Sequence, residues 1–397
     1  GHPWVHAAAV RRVEDPPRDP APSPPVPLVS DDVVEVRDAD GRRIGRGFLS
    51  EGSAIRVRLF EQHAPDVDPD ELLEDRIERA CQLRRRLFPD PEVTNAYRLV
   101  HSEGDGLPGL VVDRYGEVLV AQFATGPMHR RRERLAAALL AATGATSLVA
   151  RAGGYEREEG IAAEDVPFAV GAELPEAPWV REAGLEVEVE PQSGQKTGHY
   201  VDQRETRVLV GQMASGLDVL DLYAGTGLFS VQALRAGATS ALAVDASKAA
   251  IERAGRHAAK NGVAEGFEGQ ATDVRETLAE LKEARRRFGL VVVDPPNFFP
   301  RRGGEGRAQR AYRDLNVQAL TRVADGGLLA TFSCSARLDA DGLRAVVASA
   351  ALECRRPVRI LRELTAGPDH PFLAAAPEGR YLTGLLVSLL ALSLIHI

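Results

Sequence analysis

Apolar and polar residues follow three different rhythms along this chain. Up to about residue 60 they alternate in short runs: Val33-Val34-Glu35-Val36-Arg37, then Ile44-Gly45-Arg46-Gly47-Phe48-Leu49, then Ala54-Ile55-Arg56-Val57-Arg58-Leu59. A period of two marks half-buried strands, and Asp38-Ala39-Asp40-Gly41 reads as the turn between the first two. The proline-rich stretch from Asp15 to Pro27 reads as an extended surface loop. From about 62 to 180 the texture is mixed. A helical period runs through 68–87, strands at 97–100, 110–113 and 118–123 form a meander, and a helix follows at about 129–142. From about 184 onward strands at 218–223, 240–245, 289–294 and 326–332 alternate with helices at 227–236, 247–261, 274–286, 308–323 and 339–354. This alternation predicts an α/β fold with a parallel, doubly wound, Rossmann-like sheet. The uncharged run beginning at Tyr381 opens as a buried strand. The expected organisation is three parts: a small β module over 1–61, a mixed α+β domain over 62–183 and the α/β domain over 184–397.

Composition narrows the class. The chain has 397 residues, 44% hydrophobic and 27% charged, which is ordinary globular usage and excludes a disordered chain. A net charge of −8 does not announce a nucleic-acid partner, so any basic surface must be local. The cations are almost all arginine; the lysines are Lys196, Lys248, Lys260 and Lys282. Cys81, Cys334 and Cys354 are too few and too scattered for a disulfide framework or a metal site, and fit a reducing, cytoplasmic setting. No signal-peptide pattern opens the chain, and the run at 381–397 falls short of the roughly 18 apolar residues of a membrane span. Neither metal nor membrane is expected.

The candidate chemistry lies at strand ends. Asp218-Val219-Leu220-Asp221-Leu222-Tyr223 is a strand that runs into Ala224-Gly225-Thr226-Gly227 and then a helix. Glycines there permit a tight turn and close backbone approach to a ligand at a helix N-terminus. A dinucleotide site has the same form, so this loop alone does not choose the ligand. The later strand ends favour S-adenosylmethionine. Asp245 closes the next strand about twenty residues on, where a carboxylate can take both ribose hydroxyls. Ser247 follows it. Asp273 sits where a third strand ends and can accept from the adenine amino group. Val291-Val292-Val293-Asp294-Pro295-Pro296 ends a fourth, and a nicotinamide site does not require that turn.

The polar stretch Gln192-Ser193-Gly194-Gln195-Lys196-Thr197-Gly198-His199-Tyr200-Val201-Asp202-Gln203-Arg204, the Asp-Pro-Pro turn and Phe332-Ser333-Cys334-Ser335 together resemble the bacterial large-subunit ribosomal RNA cytosine-5 methyltransferases with an N-terminal PUA domain. The resemblance covers nearly the whole chain, including Gly106-Leu107-Pro108-Gly109-Leu110 and Pro377-Glu378-Gly379-Arg380-Tyr381. It implies that the β module is PUA-like and lacks its first strand, and that the tail Ala391–Ile397 lies outside the family pattern. It implies S-adenosylmethionine as cofactor, large-subunit ribosomal RNA as partner and methylation of cytosine C5. That carbon is a poor nucleophile, and a thiolate adding at C6 activates it. Cys334, at a strand end on the expected rim, is the candidate nucleophile. Cys81 and Cys354, on helices, read as small buried hydrophobes. Asp294 is the candidate partner for the base at N3 and N4 as well as a cofactor contact, with Pro295, Pro296 and Asn297 beside it. Lys196, Tyr200 and Gln203 are expected to line the cofactor, and Arg204 the substrate.

RNA binding requires clustered cations. Candidates are Arg42, Arg43, Arg46, Arg56 and Arg58 in the β module, His129-Arg130-Arg131-Arg132, and Arg301, Arg302, Arg307, Arg310 and Arg313 after the Asp-Pro-Pro-Asn turn. Three other readings stay open at this stage: an RNA methyltransferase with another product such as an N-methylguanine, a cofactor-binding ribosome assembly factor without catalysis, and a nicotinamide enzyme. The oligomeric state is not fixed by the sequence; a homodimer is compatible with it.

Overall fold

The computed structural model describes residues 2–11, 32–63, 66–194, 196–299, 304–335 and 337–390. The expected loop at 15–27, the tail 391–397, Gln195, Arg301 and Arg302 lie outside them. The chain divides into two units: Gly1–Pro178 with Val189–His199 and Pro368–Gly379, and Trp179–Glu188 with Tyr200–Gly367 and Arg380–Ile397. It crosses between them at 178/179, 188/189, 199/200, 367/368 and 379/380.

The first unit opens with four short antiparallel strands, β1 (Trp4–His6), β2 (Val33–Arg37), β3 (Arg43–Leu49) and β4 (Ile55–Glu61), in the order β1-β4-β3-β2. Asp38 closes the β2–β3 turn, its carboxylate accepting from the amides of Asp40 (2.9 Å) and Arg42 (2.8 Å). Helix α1 (Pro69–Leu87) follows. Asp68 caps it by accepting from Asp70 and Glu71, and proline occupies the first turn, where its missing N–H costs nothing. Leu73, Ile77, Ala80, Cys81 and Arg84 form its buried stripe. Strands β5 (Ala96–His101), β6 (Leu110–Tyr115) and β7 (Val118–Phe123) make the expected meander. The helix expected at 129–142 is two, α2 (Gly126–Arg130) and α3 (Arg132–Thr143). The break is at Arg131, whose guanidinium is drawn to Asp32 (2.8 Å) and Asp70 (2.7 Å) and lies over the Phe48 ring. Strands β8 (Ser147–Ala150) and β9 (Phe168–Gly171) complete a five-stranded sheet in sequential order, β8 parallel to β7 and β9 antiparallel to β8.

Arg84 sits inside this unit. Its guanidinium forks onto Asp105 (2.5 and 2.8 Å), and it also donates to the carbonyls of Arg98 (2.9 Å) and Asp369 (2.7 Å). Arg98 in turn grips Asp113 through two nitrogens (2.6 and 3.1 Å), and Thr197 donates to the same carboxylate. Two buried arginines thus tie α1, β5, β6 and the segments around 197 and 369 together by charge-assisted bonds.

The second unit begins with a hairpin, β10 (Trp179–Glu182) and β11 (Leu185–Glu188), whose turn contains position 184. Then come α4 (Arg204–Gln212), β12 (Asp218–Leu222), α5 (Leu228–Arg235), β13 (Ser240–Asp245), α6 (Lys248–Lys260), β14 (Phe267–Ala271), α7 (Val274–Glu283), β15 (Phe288–Val293), α8 (Glu305–Arg322), β16 (Val323–Ser333), α9 (Ala340–Glu353), β17 (Val358–Thr365) and β18 (Thr383–Leu389). The sheet order is β14-β13-β12-β15-β16-β18-β17. Alternate residues of the buried strands feed opposite faces. Val291 and Val293 join one apolar cluster with Leu220 and Leu222, while Leu290 and Val292 join another with Val219 and Ala241. One expectation is corrected here: the sheet is not wholly parallel. β18 runs antiparallel to both β16 and β17 and lies between them. Among the described residues no helix is long and apolar enough to cross a membrane.

Replacing Arg84 by Met leaves the Asp105 carboxylate buried without its partner, a change that costs about 3–5 kcal/mol. We expect a large fall in the thermal midpoint, measured by circular dichroism, and partial recovery when Asp105→Asn is added. An unshifted midpoint for Arg84→Met would remove the buried pair as a stabilising element.

Candidate active site

Five parallel strands, β14, β13, β12, β15 and β16, present their carboxyl ends along one edge of the second unit, and the order reverses on either side of β12. Ligands of doubly wound sheets bind outside this edge, at the reversal. Immediately beyond β12 the backbone leaves ordinary geometry. Tyr223 has φ +60°, Gly225 +53° and Gly227 +71°. A bulky residue with positive φ is an outlier held by its surroundings. The amide of Ala224 donates to Val244 (3.0 Å), and that of Gly225 to the Asp245 carboxylate (2.9 Å). Gly227 is required twice, by its φ and because a Cβ there would lie 2.6 Å from that of Ala254 on α6. A Cβ on Gly225 would meet open space, which leaves room against that backbone for a ligand.

Asp221 is buried beneath the loop. One oxygen accepts from the amide (3.2 Å) and hydroxyl (2.9 Å) of Ser230, the other has no partner, and burial pushes its carboxyl up to about 7. Its contact is with the helix after the loop. At the end of β13, Asp245 also accepts from the amide of Ser247 (2.9 Å), and Ser247 caps α6 by accepting from Ala250. Asp273 caps α7, accepting from Arg275 (2.8 Å). Burial raises the Tyr223 phenol, and Asp273 adds to the rise while Arg275 opposes it.

Asp294 follows β15 and accepts from Gln203 Nε2 (3.0 Å), while Gln203 Oε1 is buried without a partner. Tyr200 stands beside this group. Burial pushes its phenol up to about 12, and Asp202, Asp294, Cys334 and Asp245 all add to the rise, so Tyr200 sits within the field of the rim acids and of Cys334. Cys334, half-buried, follows β16, the neighbour of β15. Pro295 is buried, Pro296 and Asn297 are exposed, and the Asn297 side-chain oxygen accepts from the Phe299 amide (2.9 Å). Cys81 lies in the core of the first unit, where burial pushes its thiol up to about 11.

Arg204 is only 1% exposed and donates to Glu205 (3.3 Å). Lys196, exposed and at φ +51°, belongs to the first unit. Many arginines expected on an RNA face are engaged internally. Arg43 and Arg46 pair with Glu61, Arg58 with Glu159 (3.1 Å), and Arg130 and Arg131 with Asp32. Arg42, Arg307 and Arg310 remain exposed.

Two buried polar residues escaped the sequence reading. His257 on α6 lies 2.9 Å through Nδ1 from the carbonyl of Thr226 in the glycine loop, and its Nε2 accepts from the Glu188 amide (2.9 Å). Since an amide N–H can only donate, Nε2 is unprotonated and Nδ1–H is the donor to Thr226. Tyr312 on α8 lies against Phe298 (4.8 Å between ring centroids) and reaches Ser333. A polar residue among apolar positions of a helix is the one signal either carried.

Residues 1–62 match the PUA-like domain family, and residues 98–374 match the S-adenosylmethionine-dependent methyltransferase family. The chain belongs to the S-adenosylmethionine-dependent methyltransferases. It is 37% identical over 396 residues to the ribosomal RNA large subunit methyltransferase I of Alteromonas mediterranea, covering 97% of this chain and 94% of that one. The protein of the same name from Pseudoalteromonas atlantica is 34% identical, with 98% and 95% covered. Among solved structures, a methyltransferase in complex with SAH superposes with a TM-score of 0.81 at 19% identity over 98% of this chain and 96% of that one. A Streptococcus mutans methyltransferase gives 0.78 at 20% identity, with 90% and 92% covered. These two likenesses carry the fold. The cofactor of this methyltransferase is S-adenosylmethionine, and the residues fit it. The open face of Gly225 offers space, Asp245 keeps lone pairs for hydroxyl donors, and Gln203 Oε1 is an orphaned acceptor beside Asp294.

The raised Asp221 carboxyl has a signed consequence for stability. The folded protein keeps its proton up to about 7, whereas the unfolded chain releases it near 3.8. The stability from this group is complete below the lower value and is lost as pH rises through about 7. Asp221→Asn is isosteric and cannot ionise, so its thermal midpoint should gain on wild type as pH rises between about 4 and 7. A difference that stays constant across that window would contradict a proton on Asp221.

Proposed function

We propose that this enzyme methylates C5 of a cytosine in large-subunit ribosomal RNA and that Cys334 is its nucleophile. The observation that carries this reading is the pairing of strand ends. Cys334 and Asp294 follow adjacent parallel strands at the rim that carries the glycine loop, and both act on the same phenol, Tyr200. The names of the relatives from Alteromonas and Pseudoalteromonas support the substrate. In this division of labour, residues 1–61 form the RNA-binding module, 62–183 the middle domain and 184–397 the catalytic domain.

The Cys334 thiolate adds to C6, the C5=C6 electron pair moves to C5, and C5 becomes the nucleophile. When bound, S-adenosylmethionine would supply the methyl group to C5, the methyl–sulfur bond breaking so that S-adenosylhomocysteine leaves. Loss of the C5 proton to a base then restores the double bond and expels the thiolate. The Tyr223–Gly227 loop, Asp245, Ser247 and Asp273 hold the cofactor; Gln203 orients Asp294, whose carboxyl faces the amino edge of the base. Pro295 and Pro296 stiffen the turn that presents it. A thiol is needed in its reduced form, which suits a cytoplasmic site. Among the described residues, exposed Arg42, Arg307 and Arg310 are candidates for phosphate contacts, and Arg301 and Arg302 are proposed beside them.

The test is mass mapping of large-subunit RNA after incubation with purified protein and S-adenosylmethionine. Wild type should yield 5-methylcytosine. Cys334→Ala should yield none while still binding S-adenosylhomocysteine by calorimetry. Full activity in that variant, or a methyl group on a guanine nitrogen, would overturn the covalent reading.

A further inference from the structure

Val293 and Thr331 are the last paired residues of β15 and β16. Asp294 and Cys334 lie beyond that rung, where no ladder bond between these two strands sets their spacing. A side chain from α8 reaches both chains at this point. Tyr312 is fully buried. Ser333 Oγ donates to its hydroxyl (3.3 Å), and the Ser335 amide donates to that same Oγ (3.3 Å), so the turn through Cys334 closes on the serine that Tyr312 holds. On the other side the ring packs on Phe298 and Phe299 (centroids 4.8 and 6.0 Å), which continue the chain from Asp294-Pro295-Pro296-Asn297.

We infer that Tyr312 is a positioning residue: its ring packs on the segment that follows Asp294 and its hydroxyl holds the loop bearing Cys334, so that one side chain sets the spacing between them. The inference rests on the nucleophilic role proposed for Cys334. Phenylalanine would fill the same volume without the cost of burying a hydroxyl, so packing alone does not account for a tyrosine here. The hydroxyl also brings no charge to the site. Burial raises the phenol, with Cys334 and Asp294 adding to the rise, so it stays neutral while the thiolate forms nearby.

The experiment compares wild type, Tyr312→Phe, Ser333→Ala and the double variant. Each is assayed for methylation of ribosomal RNA, for affinity for S-adenosylhomocysteine, and for covalent trapping on RNA carrying 5-fluorocytosine, whose C5 fluorine cannot leave as a proton does. Tyr312→Phe should lower kcat and the trapping rate together by about tenfold, the size of one lost hydrogen bond. Its RNA KM, cofactor affinity and thermal midpoint should stay near wild type. Ser333→Ala should behave alike, and the double variant should be no worse than either single one, because both remove the same tie. Trapping by Tyr312→Phe at the wild-type rate, or additive losses in the double variant, would overturn the inference while leaving Cys334 as nucleophile. Absence of trapping in wild type would overturn both.

Discussion

The catalytic unit depends on a constraint of winding. Parallel strands joined by right-handed helical crossovers must all end on the same edge of the sheet. Every loop after β14, β13, β12, β15 and β16 is therefore delivered to one rim, and the chain needs only short polar sequences there to assemble a site. Asp273, Asp245, the Tyr223–Gly227 loop, Asp294 and Cys334 come from five places in the sequence and share that rim for this reason alone. The local costs are concentrated in the same place. Tyr223 is held at positive φ, Asp221 is buried with one oxygen orphaned, and Gly227 admits no side chain.

Much of this was legible beforehand. β12, β13, β15 and β16 are buried on both faces, so they read as continuous apolar runs with sharp ends, and the acids at those ends follow. What escaped had no such pattern. β17, Val358–Thr365, is an edge strand whose arginines, glutamate, Ile360 and Leu361 all face solvent. The β10–β11 hairpin is half charged. The reversed direction of β18 leaves no trace in its composition, because an apolar strand looks the same either way. The break at Arg131 follows from Asp32 and Asp70, both remote in sequence, which no helical period can register. His257 and Tyr312 looked like irregularities on apolar helix faces; only their partners, the Thr226 carbonyl and the Ser333 hydroxyl, give them meaning.

The arginines carry a related lesson. In the sequence they look like a supply of positive charge for a polyanion. In the structure many are cross-links. Arg84, Arg98, Arg131 and Arg207 each engage a carboxylate, and most also reach a backbone carbonyl, a division that the five fixed donors of a planar guanidinium favour. Only what is left outside such pairs can act on a distant phosphate.

The placement of β18 bears on how the chain reaches its folded state. β17 is synthesised before β18, yet β18 is the strand that joins β17 to the rest of the sheet. Until residues 383–389 emerge, β17 has no neighbour to pair with and β16 presents an open, apolar edge. The five parallel strands can assemble by local crossovers, but the sheet closes only when this late strand inserts between two that already exist. Its partner pairs are non-local on the β16 side, which makes insertion a slow step of high contact order. A nascent or partly unfolded molecule would expose the β16 edge, and that edge is where a chaperone, or a misplaced strand from another copy, would meet it.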